Sequence, residues 1–379
     1  MKFIHLSDLH LGIRVNEFSM IEEQEAVLSQ ILGIIDAEAP DGVLLAGDIY
    51  DKSVPSAEAV QVFDSFLAEL AKRSLQVFVI SGNHDSPERI AFGSRIMDVS
   101  GIHLSPVYDG NIKPVTITDT YGKVNVYMLP FVKPAHVRRF FADENIVTYT
   151  DAVRVAVKNM NINEGERNLL VTHQFVTGAS VCDSEEITVG GTDNVDASVF
   201  EAFDYVALGH IHGAQNCGSE RIRYSGTPLK YSFSEITHQK SVSVVELLDK
   251  GELSVRTVPL TPIHDMSEIR GTFDELFASD YHVGNPIVDN YLRVTLTDED
   301  DVPDAYARLR MIYKNLMNVR YDNKRTRENS EIADVTDVER KTPFELFAEF
   351  FALQNNSEMS EEQSEYMKKI IEKIEEDMK

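Results

Sequence analysis

Five apolar runs of strand length in this 379-residue chain each end at a small cluster of His, Asp or Asn. Lys2–Ser7 runs into Asp8-Leu-His10, Gly42–Ala46 into Gly47-Asp48-Ile-Tyr-Asp51, and Gln76–Ser81 into Gly82-Asn83-His84-Asp85. Asn168–Thr172 stops at His173, and Tyr205–Gly209 at His210-Ile-His212. This arrangement narrows the fold sharply. Polar loops at the carboxyl ends of strands meet in one crevice when the strands run parallel in an open α/β sheet. Helical patterns over Glu22–Asp36 and Ala57–Lys72 separate the first three strands, as such a sheet requires.

The later strands, Lys123–Leu129, Arg221–Ser225, Val242–Leu248 and Leu253–Val258, follow one another more closely, in the manner of antiparallel pairs. The predicted architecture is therefore an α/β two-sheet sandwich flanked by helices, over residues 1–260. Beyond Thr261-Pro262 a strand over Tyr291–Leu296, a helix over Asp304–Asn315 and a strand over Leu316–Arg320 predict a small α/β lobe, residues 263–322. Asp322 to Arg340 is charged, lacks an apolar period and reads as a linker. Thr342-Pro-Phe-Glu345 then opens a helix with the marks of a capping box, carrying Phe344, Phe347, Phe350 and Phe351 at helical spacing. A second helix is expected from Ser360, with Met367, Ile370, Ile371, Ile374 and Met378 on one stripe, so that residues 341–379 form a helical tail suited to docking on a partner.

Composition bounds the function. No apolar run is long enough to cross a membrane, and the first eight residues make a poor signal peptide and a good first strand, so a cytoplasmic protein is expected. Two cysteines, Cys182 and Cys217, supply no disulfide framework. The 36 Lys and Arg against 62 Asp and Glu give a net charge of −26, which argues against a chain that grips nucleic acid unaided. A metal-bound site would carry positive charge of its own.

The residue types at the five strand ends suit a pair of divalent metals. Mixed carboxylate and imidazole donors favour manganese, iron or zinc over magnesium. Asp8 and His10 stand at i and i+2 of an extended segment, on one side of it, as do His210 and His212. Asp48 is the natural bridging carboxylate, and two ions roughly 3.5–4 Å apart can serve both oxygens of an in-line displacement at phosphorus. The histidines outside these motifs, His5, His103, His136, His238, His264 and His282, are read as packing or surface residues.

This ordered set, spanning residues 5–212, resembles the signature of the calcineurin-like metallophosphoesterases. The resemblance implies that Asp8, His10, Asp48 and His212 hold one metal, and Asp48, Asn83, His173 and His210 the other. It implies that His84 stays unligated and acts on the phosphate or leaving oxygen, with Asp85 or Asp51 orienting it. Within the superfamily, Gly226-Thr-Pro-Leu-Lys-Tyr-Ser-Phe-Ser-Glu235, Ile4-His-Leu-Ser-Asp-Leu-His-Leu-Gly12 and Asp204-Tyr-Val-Ala-Leu-Gly-His-Ile-His212 are similar to segments of SbcD-type nucleases. Members of that type imply a manganese-dependent 3′-to-5′ exonuclease and hairpin or single-strand endonuclease for DNA repair and recombination. They also imply a homodimer within a heterotetramer, with an SbcC-type ATPase as partner and DNA as substrate. Dimer contacts would fall on helices over Ser56–Lys72 and Arg89–Val99. The competing expectation is a small-molecule phosphodiesterase or nucleotidase of the same superfamily.

Overall fold

The computed structural model describes residues 1–183, 185, 194–324, 326, 344, 347–351 and 359–377. The chain divides into two compact units. One comprises Met1–Ile269, Phe277–Val294 and Asp304–Val319; the other comprises Arg270–Leu276, Thr295–Pro303 and Arg320–Lys379.

The first unit contains two six-stranded sheets. One is built from β1 (Lys2–Leu6), β2 (Gly42–Ala46), β3 (Gln76–Ile80) and β4 (Ile102–Leu104). The other takes β5 (Val115–Asp119), β6 (Gly122–Leu129), β7 (Arg167–His173), β8 (Tyr205–Gly209), β9 (Gln215–Cys217) and β10 (Ser219–Tyr224), while β11 (Ser241–Leu247) and β12 (Leu253–Pro259) return to the first. The orders are β12-β11-β1-β2-β3-β4 and β9-β10-β8-β7-β6-β5. β1 to β4 pair in parallel, as do β6, β7, β8 and β10; antiparallel strands close the other three edges.

Two-faced burial explains the apolar runs. Phe3, Leu44, Phe78 and Ile80 from one sheet and Val124, Val126, Leu169, Val171, Tyr205 and Ala207 from the other fill a layer between the sheets. The opposite face of the first sheet packs Ile4, Val43, Leu45, Val77 and Val79 against α1 (Ile21–Glu38) and α2 (Ala57–Lys72) through Val27, Ile31, Phe63 and Phe66. The outer face of the second sheet is covered by α3 (Tyr149–Lys158), through Ala152, Val153 and Ala156. The predicted α/β sandwich is thus met, in four layers. Ser56 starts α2 by accepting the Ala59 N–H, and Thr148 with Asp151 forms a capping box on α3.

In these two sheets three strands lie outside the expectation, β4, β5 and β9, each at a sheet edge, and the short pair Arg14–Val15 with Phe18–Ser19 was not expected either. The expected helix over Arg89–Val99 is broken into Pro87–Ile90 and Ser94–Met97, because Gly93 between them takes φ of +75°. Further along the chain, strands Met266–Gly271, Tyr291–Leu296 and Leu316–Tyr321 make a three-stranded sheet in that order. The first of these was not expected, and the helix anticipated over Asp304–Asn315 is confined to Ala305–Arg310. In the second unit a helix spans Glu361–Asp377, and Ser360 and Gln363 cap its start reciprocally. Met367, Ile370 and Ile371 are half-buried among exposed neighbours. The Phe344 ring lies 4.7 Å from the Lys368 ammonium. Thr342, Pro343 and Glu345 and most of the expected linker lie outside the described residues. No helix among the described residues is long and apolar enough to cross a membrane.

Candidate metal centre

Parallel pairing brings the five polar loops to one end of the two sheets. β1, β2 and β3 deliver Asp8 and His10, then Asp48, then Asn83 and His84; β7 and β8 deliver His173, His210 and His212. The pairing continues into the loops, where the Asp8 N–H donates to the Gly47 carbonyl at 3.0 Å and the His10 N–H to the Asp48 carbonyl at 2.9 Å. Two glycines permit this crowding. A Cβ on Gly209 would lie 2.7 Å from His173 Nδ1 and run into the Ala46 carbonyl, and one on Gly82 would strike the Asp48 main chain and carboxylate.

Backbone strain concentrates here. Asp8, His10, Asp48 and His210 take φ of 53°, 44°, 49° and 105°. Each such non-glycine residue costs of order 1–3 kcal/mol and persists only where its surroundings hold it. Those surroundings are visible: the Asp8 carboxylate accepts the His210 N–H at 3.0 and 3.2 Å, and Asp48 Oδ1 accepts the His84 N–H at 2.9 Å.

The side chains fit cations. Asp8, His10 and His212 can place one ligand atom each within 4.8 Å of one another, and so can Asp8, Asp48 and His173, all buried. Both ring nitrogens of His10 are buried without a hydrogen-bond partner, which is costly unless a cation or water takes them. His173 Nδ1 lies 2.8 Å from the Ala46 carbonyl and donates to it, which turns Nε2 toward Asn83 Oδ1 at 2.9 Å and Asp48 Oδ2 at 3.2 Å. His210 Nδ1 approaches the same Asn83 oxygen at 2.9 Å. Electron-rich atoms that converge in this way call for positive charge among them.

Burial and neighbouring charge set the ionisation of these groups. Burial raises Asp8 to about 6, against the pull of His173. Burial opposes the ionisation of Asp48 too, but His173 outweighs it and holds that carboxyl well below the usual range. Burial would depress His173, yet Asp48 lifts it to about 9. His210 is pushed down to about 3 by burial and by His173.

His84 stands at the mouth, its side chain 21% exposed, with its ring edge-on to His10 at 4.8 Å. Its Nδ1 donates to the main-chain carbonyl of Asp51 at 3.0 Å. Asp85 does something else. Its carboxylate accepts the main-chain N–H groups of Ile49, Tyr50 and Gly82 at 3.1, 2.9 and 2.9 Å and so joins the second loop to the third.

Sequence reasoning missed several supports. Gln24, on the buried face of α1, donates to the carbonyls of Leu9 at 3.2 Å and His10 at 2.8 Å and accepts the Gly12 N–H at 3.0 Å, which fixes the first loop. The Tyr231 hydroxyl donates to the Leu9 carbonyl at 2.7 Å. Glu235 and Lys240 form a buried pair at 2.5 Å next to His212. A polar residue in phase with Val27, Leu28 and Ile31 was the available signal for Gln24; none pointed to Lys240. The site opens into a cleft of about 480 Å³ whose walls include Asp51, Tyr231, Arg14 and Arg293.

Residues 1–214 match the family model described as calcineurin-like phosphoesterase. The chain belongs to the calcineurin-like phosphoesterase family. The phosphoesterase also matches, over residues 262–355, the model described as type 5 capsule protein repressor C-terminal domain, which is the SbcD C-terminal family. A curated relative, the SbcD component of the SbcCD nuclease of Staphylococcus epidermidis, is 29% identical over 378 residues, 98% of each chain. The SbcD-type resemblance read in the sequence therefore extends over nearly the whole chain. Among solved structures, a dimetal phosphatase from Danio rerio is similar at 13% identity, covering 69% of this chain and 98% of its own, with a TM-score of 0.41. The E. coli phosphoesterase Yfce is similar at 12% identity over 69% and 100%, with a TM-score of 0.27. The chain is a metal-dependent phosphoesterase, and the donor set described above suits the divalent metals that its family uses.

Proposed function

We propose that this phosphoesterase is the DNA nuclease component of an SbcC–SbcD-type complex, a cytoplasmic assembly for DNA repair and recombination. It would cut by manganese-dependent 3′-to-5′ exonuclease and hairpin or single-strand endonuclease action. The observation that carries the reading is the convergence of two carboxylates, four imidazoles and an amide on one buried point, in a chain that aligns end to end with a curated SbcD nuclease component.

Asp8, His10, Asp48 and His212 would hold one metal, and Asp48, Asn83, His173 and His210 the other. Such a pair supplies Lewis acidity at the phosphoryl oxygens and an acidified water. The chain's own groups do the rest. Asp48, its Oδ1 fixed by the His84 N–H, would serve both ions. Asp85 ties the loop that carries Asp48 to the loop that carries Asn83 and His84. His84, its Nδ1–H donated to the Asp51 carbonyl, would as an imidazolium give its Nε2 proton to the leaving oxygen at the cleft and keep the Nδ1 proton.

The deciding experiment offers the protein with Mn²⁺ a labelled linear duplex, a hairpin and a cyclic nucleotide. Cleavage of the first two is expected; turnover of the cyclic nucleotide alone would replace this reading with the small-molecule phosphodiesterase. In the same assay His84→Ala should lose about 10²–10⁴-fold in kcat while elemental analysis finds its metal content unchanged. Loss of metal in that variant would move His84 into the ligand set.

The net charge of −26 favours a division of labour in which much of the DNA grip lies on an SbcC-type ATPase. Phe344, Phe347, Phe350 and Phe351, with Phe350 58% exposed, and the helix Glu361–Asp377 form the tail suited to dock on it. A homodimer is supported by Phe92, Ile96 and Val99, which stand 83%, 80% and 89% exposed just past the His84 loop, a cluster that a lone protomer would leave wet. Ile96→Glu should convert the isolated protein from dimer to monomer in sedimentation without loss of its metals. A variant that sediments as the wild type does would remove this patch from the interface.

A further inference from the structure

Buried acid–base pairs are poor stabilisers: an apolar pair of similar volume often serves a core as well or better. The Glu235–Lys240 pair therefore asks for a reason. Glu235 is fully buried and Lys240 is 6% exposed. Both reach the same residue, from two sides. The Lys240 ammonium donates to the main-chain carbonyl of His212 at 2.9 Å, to Thr227 Oγ1 at 2.6 Å and to Glu235 Oε2 at 2.5 Å. The other oxygen of Glu235, Oε1, faces His212 Nδ1 at 3.6 Å and accepts the Tyr231 N–H at 3.3 Å. One partner holds the backbone of His212 and the other faces its ring.

We propose that Glu235, clamped by Lys240, is the positioning residue that sets the tautomer and tilt of the His212 imidazole. A carboxylate opposite Nδ1 keeps the proton on that nitrogen and leaves the Nε2 lone pair for a cation on the Asp8–His10 side; a carboxylate behind a ligating histidine also raises the ring's basicity. Lys240 supplies the counter-charge that lets Glu235 stay ionised where no water reaches it. The strand β11 begins directly after Lys240, so the clamp is anchored to the first sheet, whereas His212 extends from β8 of the second. The inference rests on the reading that His212 holds one of the metals.

The test uses the full chain and Mn²⁺ titration by calorimetry, with ion stoichiometry by elemental analysis. Wild type should take two ions and His212→Ala should lose one. The double variant Glu235→Gln/Lys240→Gln keeps the side-chain volumes nearly unchanged and leaves no unpaired charge, so its metal-free form should melt close to wild type. It should nonetheless bind one of the two ions about 10–100-fold more weakly, the usual loss when a ligand's outer partner is removed. Thr227→Val removes a Lys240 contact and the long 3.4 Å hydrogen bonds to Glu235 Oε2 and the His212 carbonyl, but leaves Glu235 Oε1 facing His212 Nδ1, and should keep both ions at wild-type affinity. Wild-type affinity for both ions in the double variant would overturn the proposal and leave the pair a packing feature. If wild type binds no ion, or His212→Ala keeps both, the metal reading itself fails and the proposal with it. Should the double variant not fold, the ring ¹⁵N shifts of His212 in Zn²⁺-loaded wild type decide, assigned by their absence in His212→Ala. A protonated Nδ1 supports the proposal and a protonated Nε2 overturns it.

Discussion

Asp48→Asn is expected to reduce phosphodiester cleavage to less than about 10⁻⁴ of wild type while the protein stays folded. Asp48 reaches both ends of the cluster: its Oδ2 lies 3.2 Å from His173 Nε2 and 3.8 Å from His10 Nε2. An amide keeps the shape but forfeits one anionic oxygen, and with it the proposed sharing of two ions. Water without metal activation is far less acidic, a deficit of many orders of magnitude in hydroxide. The fold should survive because the ordered side of the carboxylate, the Oδ1 that accepts the His84 N–H, has an equivalent in the Asn carbonyl oxygen. Elemental analysis, circular dichroism and rate are read together. Full activity with both ions present would remove Asp48 from the centre.

The largest stability effect is expected at Arg167, far from the chemistry. Its side chain is 2% exposed; it pairs with Asp119 and donates to the carbonyls of Leu247 at 3.1 Å, Leu248 at 2.8 Å and Gly122 at 2.8 Å. Asp119 in turn accepts the amino group of Met1 at 2.8 Å. Arg167 thus joins the chain start, the β5–β6 turn and the end of β11. Arg167→Ala should cost about 3–5 kcal/mol, since truncating one member of a buried pair strands the others. Urea unfolding of the metal-free protein measures it; a loss below about 1 kcal/mol would show that water replaces the guanidinium cheaply. The variant should also change the response to acid. The hydrogen bond from Arg167 outweighs burial and, with the Met1 ammonium, holds the Asp119 carboxyl well below the usual carboxylate range. A depressed folded value means stability that is complete above the unfolded pKa, near about 3.9, and is lost as pH falls toward the folded one. Wild-type stability should therefore decline below about pH 4, and Arg167→Ala should show a flatter decline there.

The interior strands were legible because both of their faces are buried. Gly42–Ala46 and Tyr205–Gly209 end in the structure where their apolar runs end in the sequence. β4, β5 and β9 were not legible. Their burial is partial or their length is three residues, and a strand at or near an edge owes its pairing to a neighbour's free backbone groups more than to its own side chains. The same divide runs through the site. Asp8, His10, Asp48, Asn83, His173, His210 and His212 announced themselves by residue type at strand ends, and the structure gathers all seven at one buried point.

Roles were harder to read than positions. Asp51 and Asp85 stood as equal candidates to orient His84, and nothing local separates them. The structure gives His84 the carbonyl of Asp51, a group every residue possesses, and spends the Asp85 carboxylate on three main-chain N–H groups. Gln24, Glu235, Lys240 and Arg167 act through partners whose places are fixed by how the sheets stack.

What the sequence determined by itself was the set of strand-end donors and the parallel core that must carry them, because periodicity and residue chemistry are local properties. What the tertiary structure decided was which atom of each residue faces which neighbour. The Asn83 oxygen lies between His173 and His210, 90 and 127 residues away along the chain, and Lys240 reaches back 28 residues to the carbonyl of His212. Such pairings exist only once two separate sheets have closed over a common core, and burial then makes each unpaired alternative expensive.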